Sequence, residues 1–260
     1  MDIDVEAGRL QLTLNRPERR NALTDDVVAA MIAAIEQAGQ DEAVRVIVLS
    51  GAGDHFCSGF DIVGRNAATA GRPRVGRIQR RLPAQAHRLI PVMLSTQVPI
   101  VCAVQGWCAG IGLHLAVAAD FAVVALDARL WEPFAARGFT PDSGGTWLLP
   151  RRVGETRARE LLMLGRTLTG AEAAEWGLVH RAVPPTELAG AVDGLAQQLA
   201  TGPTVTLGLL KVLLHRVATA PLEAQLGDEA YAMELSSRSA DFREGLAAFK
   251  EKRDPHFEGR

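Results

Sequence analysis

The stretch Gly106-Trp-Cys-Ala-Gly-Ile-Gly-Leu-His114 stands between two apolar runs, and its residue types suit the capture of negative charge. Before it, Val98-Pro-Ile-Val-Cys-Ala-Val104 has the β-branched character of a buried strand. After it, Leu115-Ala-Val-Ala-Ala119 continues as a helix. A strand that enters a helix through closely spaced glycines leaves backbone N–H groups bare at the helix start. The helix dipole adds partial positive charge there, so the turn can hold an anion or a developing oxyanion. Tight packing alone would use the same turn. His114 closes the stretch on a mostly apolar helix, where a histidine is ordinarily a packing residue, although an imidazole titrates near neutrality and can carry a proton.

Other elements must hold this turn in place. Leu10-Gln-Leu-Thr-Leu14 alternates like a half-buried strand and stops at Asn15-Arg-Pro17. Thr24 is placed to cap an amphipathic helix through Val27, Val28, Met31, Ile32 and Ile35. Val44–Leu49, Phe121–Ala125 and Leu178–Val183 read as further strands. Helices are expected around 155–164 and 170–176, the second capped by Thr169. Strands alternating with helices indicate an α/β architecture. After Pro184-Pro185 the character changes, and 186–200, 203–218, 221–236 and 239–250 read as successive helices. The division expected is a core over 1–195 and a helical region over 196–260. Between Arg65 and Arg88, seven arginines (65, 72, 74, 77, 80, 81 and 88) sit among Gly, Ala and Pro. Without interleaved aromatics to stack on bases, this reads as a solvated surface segment, with Arg80 and Arg81 as candidates to meet phosphates of a bound cofactor.

Composition narrows the class. The chain has 260 residues, 48% of them hydrophobic, which is enough for a sizeable core. A net charge of −2 gives no electrostatic reason to expect nucleic acid or a membrane surface. Cys57, Cys102 and Cys108 are odd in number and lack metal-ligand spacing, which fits a reduced, cytoplasmic setting. Asp2, Asp4 and Glu6 interrupt any signal-peptide pattern, and no apolar run reaches the roughly 20 residues that span a bilayer. The glycine cluster lacks the acidic ribose partner and spacing of a dinucleotide site.

Several separated motifs point the same way: Asn15-Arg-Pro-Glu-Arg-Arg-Asn-Ala-Leu23, Phe56-Cys-Ser-Gly-Phe-Asp-Ile62 and the Gly106–Gly112 turn. Pro141-Asp-Ser-Gly-Gly-Thr-Trp-Leu-Leu-Pro150, Leu168–Leu178 and Ala248-Phe-Lys-Glu-Lys-Arg253 complete the set. In order and spacing they resemble the enoyl-CoA hydratase/isomerase (crotonase) family over nearly the whole chain, and the Pro141–Arg151 stretch is similar to that of its 1,2-epoxyphenylacetyl-CoA isomerase subgroup. The resemblance implies a spiral of ββα turns forming two sheets, then a C-terminal helical region used to build homotrimers or dimers of trimers. It also implies an acyl-CoA thioester substrate, an enolate intermediate, no metal, and no cofactor beyond the CoA of the substrate.

By position, the resemblance assigns the oxyanion hole to the backbone N–H groups of Phe60 and Ile111. Fixed donors of this kind stabilise charge that develops on the thioester oxygen as the α-proton leaves. The two glutamates of family hydratases fall on His114 and Phe134, so ordinary hydration is disfavoured. Glu132 lies two residues before Phe134 in an extended segment, a residue pair too early to be expected as a substitute. Asp142 stands where the family's isomerases place a carboxylate. One carboxylate suffices to take a proton from one carbon and return it to another, and Trp131 and Phe134 are expected to wall it off from water. Read without the resemblance, Asp142 is a turn or N-cap residue. His114 is a candidate to relay a proton with Asp142 or to hydrogen-bond the substrate. The remaining histidines, 55, 87, 180, 215 and 256, read as structural or surface residues.

Implied CoA contacts are Arg16, Arg19, Arg20, Ala22, Gly59, Asp61 and Gly110, with Phe249 and Lys252 reaching the CoA of a neighbouring subunit. The family's usual lysine after Asp-Ile is Val63 here. Trp131, Phe134, Phe139 and Trp147 are candidates for the acyl pocket. The expected function is isomerisation of an enoyl-CoA or related thioester through Asp142. The alternatives are enoyl-CoA hydration with His114 or Glu132 compensating, and an acyl-CoA-binding protein with little catalysis.

Overall fold

A computed structural model describes residues 1–62, 64, 74–217 and 219–260. Val63, Arg65 and Arg72 lie outside the described residues. Along the chain, β1 (Asp2–Glu6) turns back as β2 (Arg9–Leu14), and α1 (Asp25–Ala38) leads to β3 (Val46–Gly51). Thr24 caps α1 as expected, its side chain accepting from the Val27 N–H. Two short helices follow, α2 (Arg77–Arg81) and α3 (Leu89–Ser95). Next come β4 (Ile100–Val104), β5 (Trp107–Ala109), α4 (Ile111–Ala118), β6 (Phe121–Ala125) and β7 (Arg129–Trp131). The middle of the chain ends with α5 (Gly145–Leu164), β8 (Leu168–Thr169), α6 (Gly170–Glu175) and β9 (Arg181–Val183).

From β4 to β7, successive strands alternate between two sheets. The larger has the order β1-β2-β3-β4-β6-β9, antiparallel at β1·β2 and parallel from β2 onward. The smaller has the order β5-β7-β8. Its strands are only two or three residues long, and sequence patterning does not resolve them. Pairing of Ala109 with Trp131 in the smaller sheet sets the start of α4 beside the residues that follow β7. That register builds the site.

Strands β3, β4 and β6 are buried along nearly their whole length, in keeping with their near-continuous apolar runs. Sequence places the helix before β8 around 155–164, with an earlier start near Gly144 only in the reading of Asp142 as an N-cap. The structure extends α5 back to Gly145, with a break at Gly154 (φ 74°, ψ 165°). The last helices are α7 (Leu188–Ala200), α8 (Thr204–Arg216), α9 (Leu222–Ser236) and α10 (Ala240–Glu251). Helix α7 runs through residue 195 and packs Val192, Ala196 and Leu199 against the larger sheet. Within the arginine segment, Arg81 meets Asp25 and Arg88 meets Glu36, which ties both to α1.

Candidate active site

The glycine turn does what its spacing suggests. Gly110, with φ 54° and ψ −125°, is the N-cap of α4 and donates its own N–H to the Trp131 carbonyl. This makes Ile111 the first helical residue, with an N–H that has no acceptor inside the helix. Two glycines are required by close approach. A Cβ on Gly112 would lie 2.6 Å from the Cys57 carbonyl oxygen, and one on Gly106 would lie 2.1 Å from that of Asp54. The absent side chains let the 54–61 segment lie against β5, where the Cys57 N–H donates to Trp107 O and the Ala109 N–H to Cys57 O.

Phe60 is held from its other side. The Leu23 N–H donates to Gly59 O and the Asp61 N–H to Leu23 O, a parallel bridge that turns the Phe60 N–H away from Leu23. Asp61 anchors the segment by accepting from Arg16 and from the Gly64 N–H, and these two contacts hold its carboxyl below the usual carboxylate range, the Gly64 bond first. The Phe60 and Ile111 amides therefore come from adjacent, well-fixed segments.

Beneath this turn lies a polar cluster. His114 is fully buried, with Nε2 3.0 Å from Glu132 Oε1 and Nδ1 2.7 Å from Ser143 Oγ. Glu132 is fully buried as well, and its Oε2 has no hydrogen-bond partner among the described residues. Burial pushes the Glu132 carboxyl up from its ordinary range, while the His114 ring beside it works in the opposite direction. Phe134 stacks on the His114 ring at 5.9 Å between centroids, and Phe139 meets Phe134 edge-on. Glu132 was not expected to take part. The register that pairs Ala109 with Trp131 carries it to His114, and a strand-parity argument on one segment does not contain that pairing.

Asp142 is exposed and opens into a cavity of about 540 Å³ walled by Ala86, Ile90, Leu94, Trp147 and Leu148, with Ser143 at its edge. The apolar wall thus comes from α3 with the residues just before it, and from α5. It does not come from Trp131 and Phe134. The Trp131 indole N–H donates to Gly165 O, and its ring packs between Trp107 and Arg137. Phe134 is buried against His114, and Phe139 lies beyond it. His87 and His215, read from sequence as structural or surface residues, both line the Asp142 cavity. A second cavity of about 590 Å³ under α8 shares Leu94, Trp147, Leu148 and His215 with it.

The implied CoA contacts divide. Arg16 is committed to the scaffold through Asp61 and the Ala22 carbonyl, whereas Arg19 and Arg20 are exposed. Gly59 packs near the Ala109 carbonyl, next to Gly110 and the oxyanion turn. Phe249 and Lys252 lie at the end of α10 and line neither cavity of this chain. Among the described residues, no group of three or more His, Cys, Asp or Glu is placed to hold a metal, and no helix is long and apolar enough to cross a membrane.

Residues 4–260 match the sequence pattern of the Enoyl-CoA hydratase/isomerase family. The chain belongs to that family. It is 40% identical over 257 residues to the 1,2-epoxyphenylacetyl-CoA isomerase of Escherichia coli (strain K12), covering 98% of this chain and 97% of that one. It is 32% identical over 247 residues to the crotonyl-CoA hydratase of Syntrophomonas wolfei, covering 95% and 93%. The crystal structure of an enoyl-CoA hydratase from Polaromonas sp. JS666 superposes with a TM-score of 0.91 at 30% identity over 99% of both chains. The crotonase fold, an acyl-CoA substrate and enzymatic action follow from family membership. The names of the relatives divide between isomerase and hydratase.

Proposed function

We propose that this crotonase-family enzyme isomerises an enoyl-CoA or related acyl-CoA thioester, with Asp142 as its acid/base and the Phe60 and Ile111 amides as its oxyanion hole. The observation that carries the reading is the placement of Asp142, a carboxylate opening into an apolar cavity beside Ile90, Leu94 and Leu148. The two positions where family hydratases carry glutamates are His114 and Phe134 here. His114 is buried against Glu132 and Phe134 is stacked on it, so no pair of carboxylates is presented to hold a water. Asp142 would take the proton next to the thioester. The two amides, donating to the thioester oxygen, would stabilise the enolate more than the ground state. The 40% identity to an enzyme named as an isomerase supports the same reading.

Arg19 and Arg20 are the basic side chains offered to CoA phosphates from the Arg16–Asn21 turn, beside Ala22, Gly59, Asp61 and Gly110. Phe249 and Lys252, which line neither cavity of this chain, would serve a neighbouring subunit in a trimer or a dimer of trimers. The setting proposed is the cytoplasm. Mass-resolved product analysis with 2-enoyl- and 3-enoyl-CoA tests the reaction. A double-bond shift without mass gain is expected. Gain of one water as the main product overturns the isomerase reading in favour of hydration, and tight binding without turnover overturns it in favour of a binding role.

A further inference from the structure

A double-bond shift needs one carboxylate, yet the chain maintains a second polar system next to it. Glu132 and His114 are both fully buried, and one Glu132 oxygen has no partner among the described residues. Removing an ionisable pair from water costs several kcal/mol per ion unless geometry and further hydrogen bonds offset it, and apolar residues would fill the space with no such cost. Gly145 must also lack a side chain, because a Cβ there would stand 2.3 Å from His114 Nε2. The cluster is continuous, running from Glu132 Oε1 to His114 Nε2 (3.0 Å) and from His114 Nδ1 to Ser143 Oγ (2.7 Å). Of the three residues, only Ser143 reaches the cavity wall, and it is the immediate neighbour of Asp142. A hydrogen-bonded line from a buried acid through an imidazole to a hydroxyl at a cavity is the arrangement by which a weak hydroxyl gains and loses protons.

We propose that Ser143, His114 and Glu132 form a proton relay that makes the enzyme a two-group isomerase, with the Ser143 hydroxyl as the second proton-transfer group beside Asp142. Ser143 is then a catalytic residue, and His114 and Glu132 are positioning residues that act through it. The proposal rests on the reading of Asp142 as the base. With a 3-enoyl thioester, the Asp142 carboxylate takes a proton from C2, and the electron pair of that C–H bond passes into a dienolate held at the Phe60 and Ile111 amides. C4 takes the proton of the Ser143 hydroxyl as the double bond settles between C2 and C3. Ser143 recovers the Nδ1 proton of a His114 imidazolium, leaving a neutral ring whose Nε2 proton stays hydrogen-bonded to Glu132, and the proton the relay later takes up restores the imidazolium. Asp142 then releases its proton to water and the relay takes one up, so nothing is consumed.

Turnover of a 3-enoyl-CoA in D₂O separates the two transfers. Deuterium entering C2 of the recovered substrate reports proton removal by Asp142, and formation of 2-enoyl-CoA reports delivery at C4. The relay predicts that Ser143→Ala and Glu132→Gln raise the ratio of C2 exchange to isomerisation by about 10²-fold, the usual worth of a positioned acid. Ser143→Thr, which keeps the hydroxyl, is expected to return the ratio toward that of the unmodified enzyme. If exchange and isomerisation fall together in Ser143→Ala, or if the ratio does not move, the cluster is only structural and the proposal is overturned. Asp142→Asn distinguishes the underlying reading, because it should lose both exchange and isomerisation. Retention of both would remove Asp142 as the base whatever the Ser143 variants show.

Discussion

Gly145 and His114 share one small volume, and the site depends on that fit. A methyl at Gly145 would overlap the imidazole, so Gly145→Ala is expected to push His114 off Glu132 and lower stability by about 1–3 kcal/mol, read in a denaturant midpoint. The three thiols behave differently from the site's polar groups. Cys57 is pushed up to about 12 by burial, and burial likewise raises Cys102 and Cys108. The native protein should therefore resist iodoacetamide at about pH 8 and take three adducts once unfolded, counted by mass. Much of the site at this scale was legible. Local spacing carries the glycine turn, since the N-cap and helix start lie within one stretch, whereas the Phe60 and Ile111 amides are named by the family resemblance. The Pro-Asp-Ser-Gly setting by itself marks Asp142 only as a turn or N-cap residue, and its candidacy as a base comes from the family resemblance. The Glu132–His114–Ser143 line was not, because its members come from the end of a three-residue strand, a helix and a turn, brought together by tertiary pairing alone.

Among the elements, α6 is the one whose start is written most plainly. Thr169 and Glu172 form a capping box, and Arg166 adds an ion pair to Glu172. The Thr169 backbone N–H, then Arg166 and the Thr169 hydroxyl, hold the Glu172 carboxyl down at about 2. A folded-state value depressed below the unfolded one contributes stability that is present above the unfolded value and lost as pH falls through the folded value. Acid titration of stability should thus be shallower in Glu172→Gln than in the unmodified protein between the ordinary carboxylate range and about pH 2. Thr169→Ala should cost about 1 kcal/mol at neutral pH. The long helices and buried strands were legible because their apolar periods extend over many residues. Strand β1 was not expected, although Ile3 and Val5 alternate with Asp2, Asp4 and Glu6, and in the structure all five of its residues are exposed. The strands of the smaller sheet are too short to carry a period at all.

For the whole molecule, the C-terminal helices leave an apolar surface that the chain does not cover. Leu222, Leu226, Tyr231, Met233 and Phe249 are all more than half exposed. These exposed side chains are consistent with the proposed trimer or dimer of trimers, which would cover them. Light scattering should give three or six times the chain mass of 27.8 kDa, and charges placed at Leu226 and Tyr231 together should shift the mass to that of one chain. The four terminal helices were legible to within about two residues at each end, while nothing in the sequence alone says which of their faces meets a partner. The central claim, that Asp142 moves the proton in a site otherwise built for an enolate, is tested most directly by the turnover of Asp142→Asn on a 3-enoyl-CoA, with the affinity for a saturated acyl-CoA measured on the same preparation. The account predicts a kcat lower by about 10²–10⁴-fold with affinity retained. Turnover near that of the unmodified enzyme would contradict it.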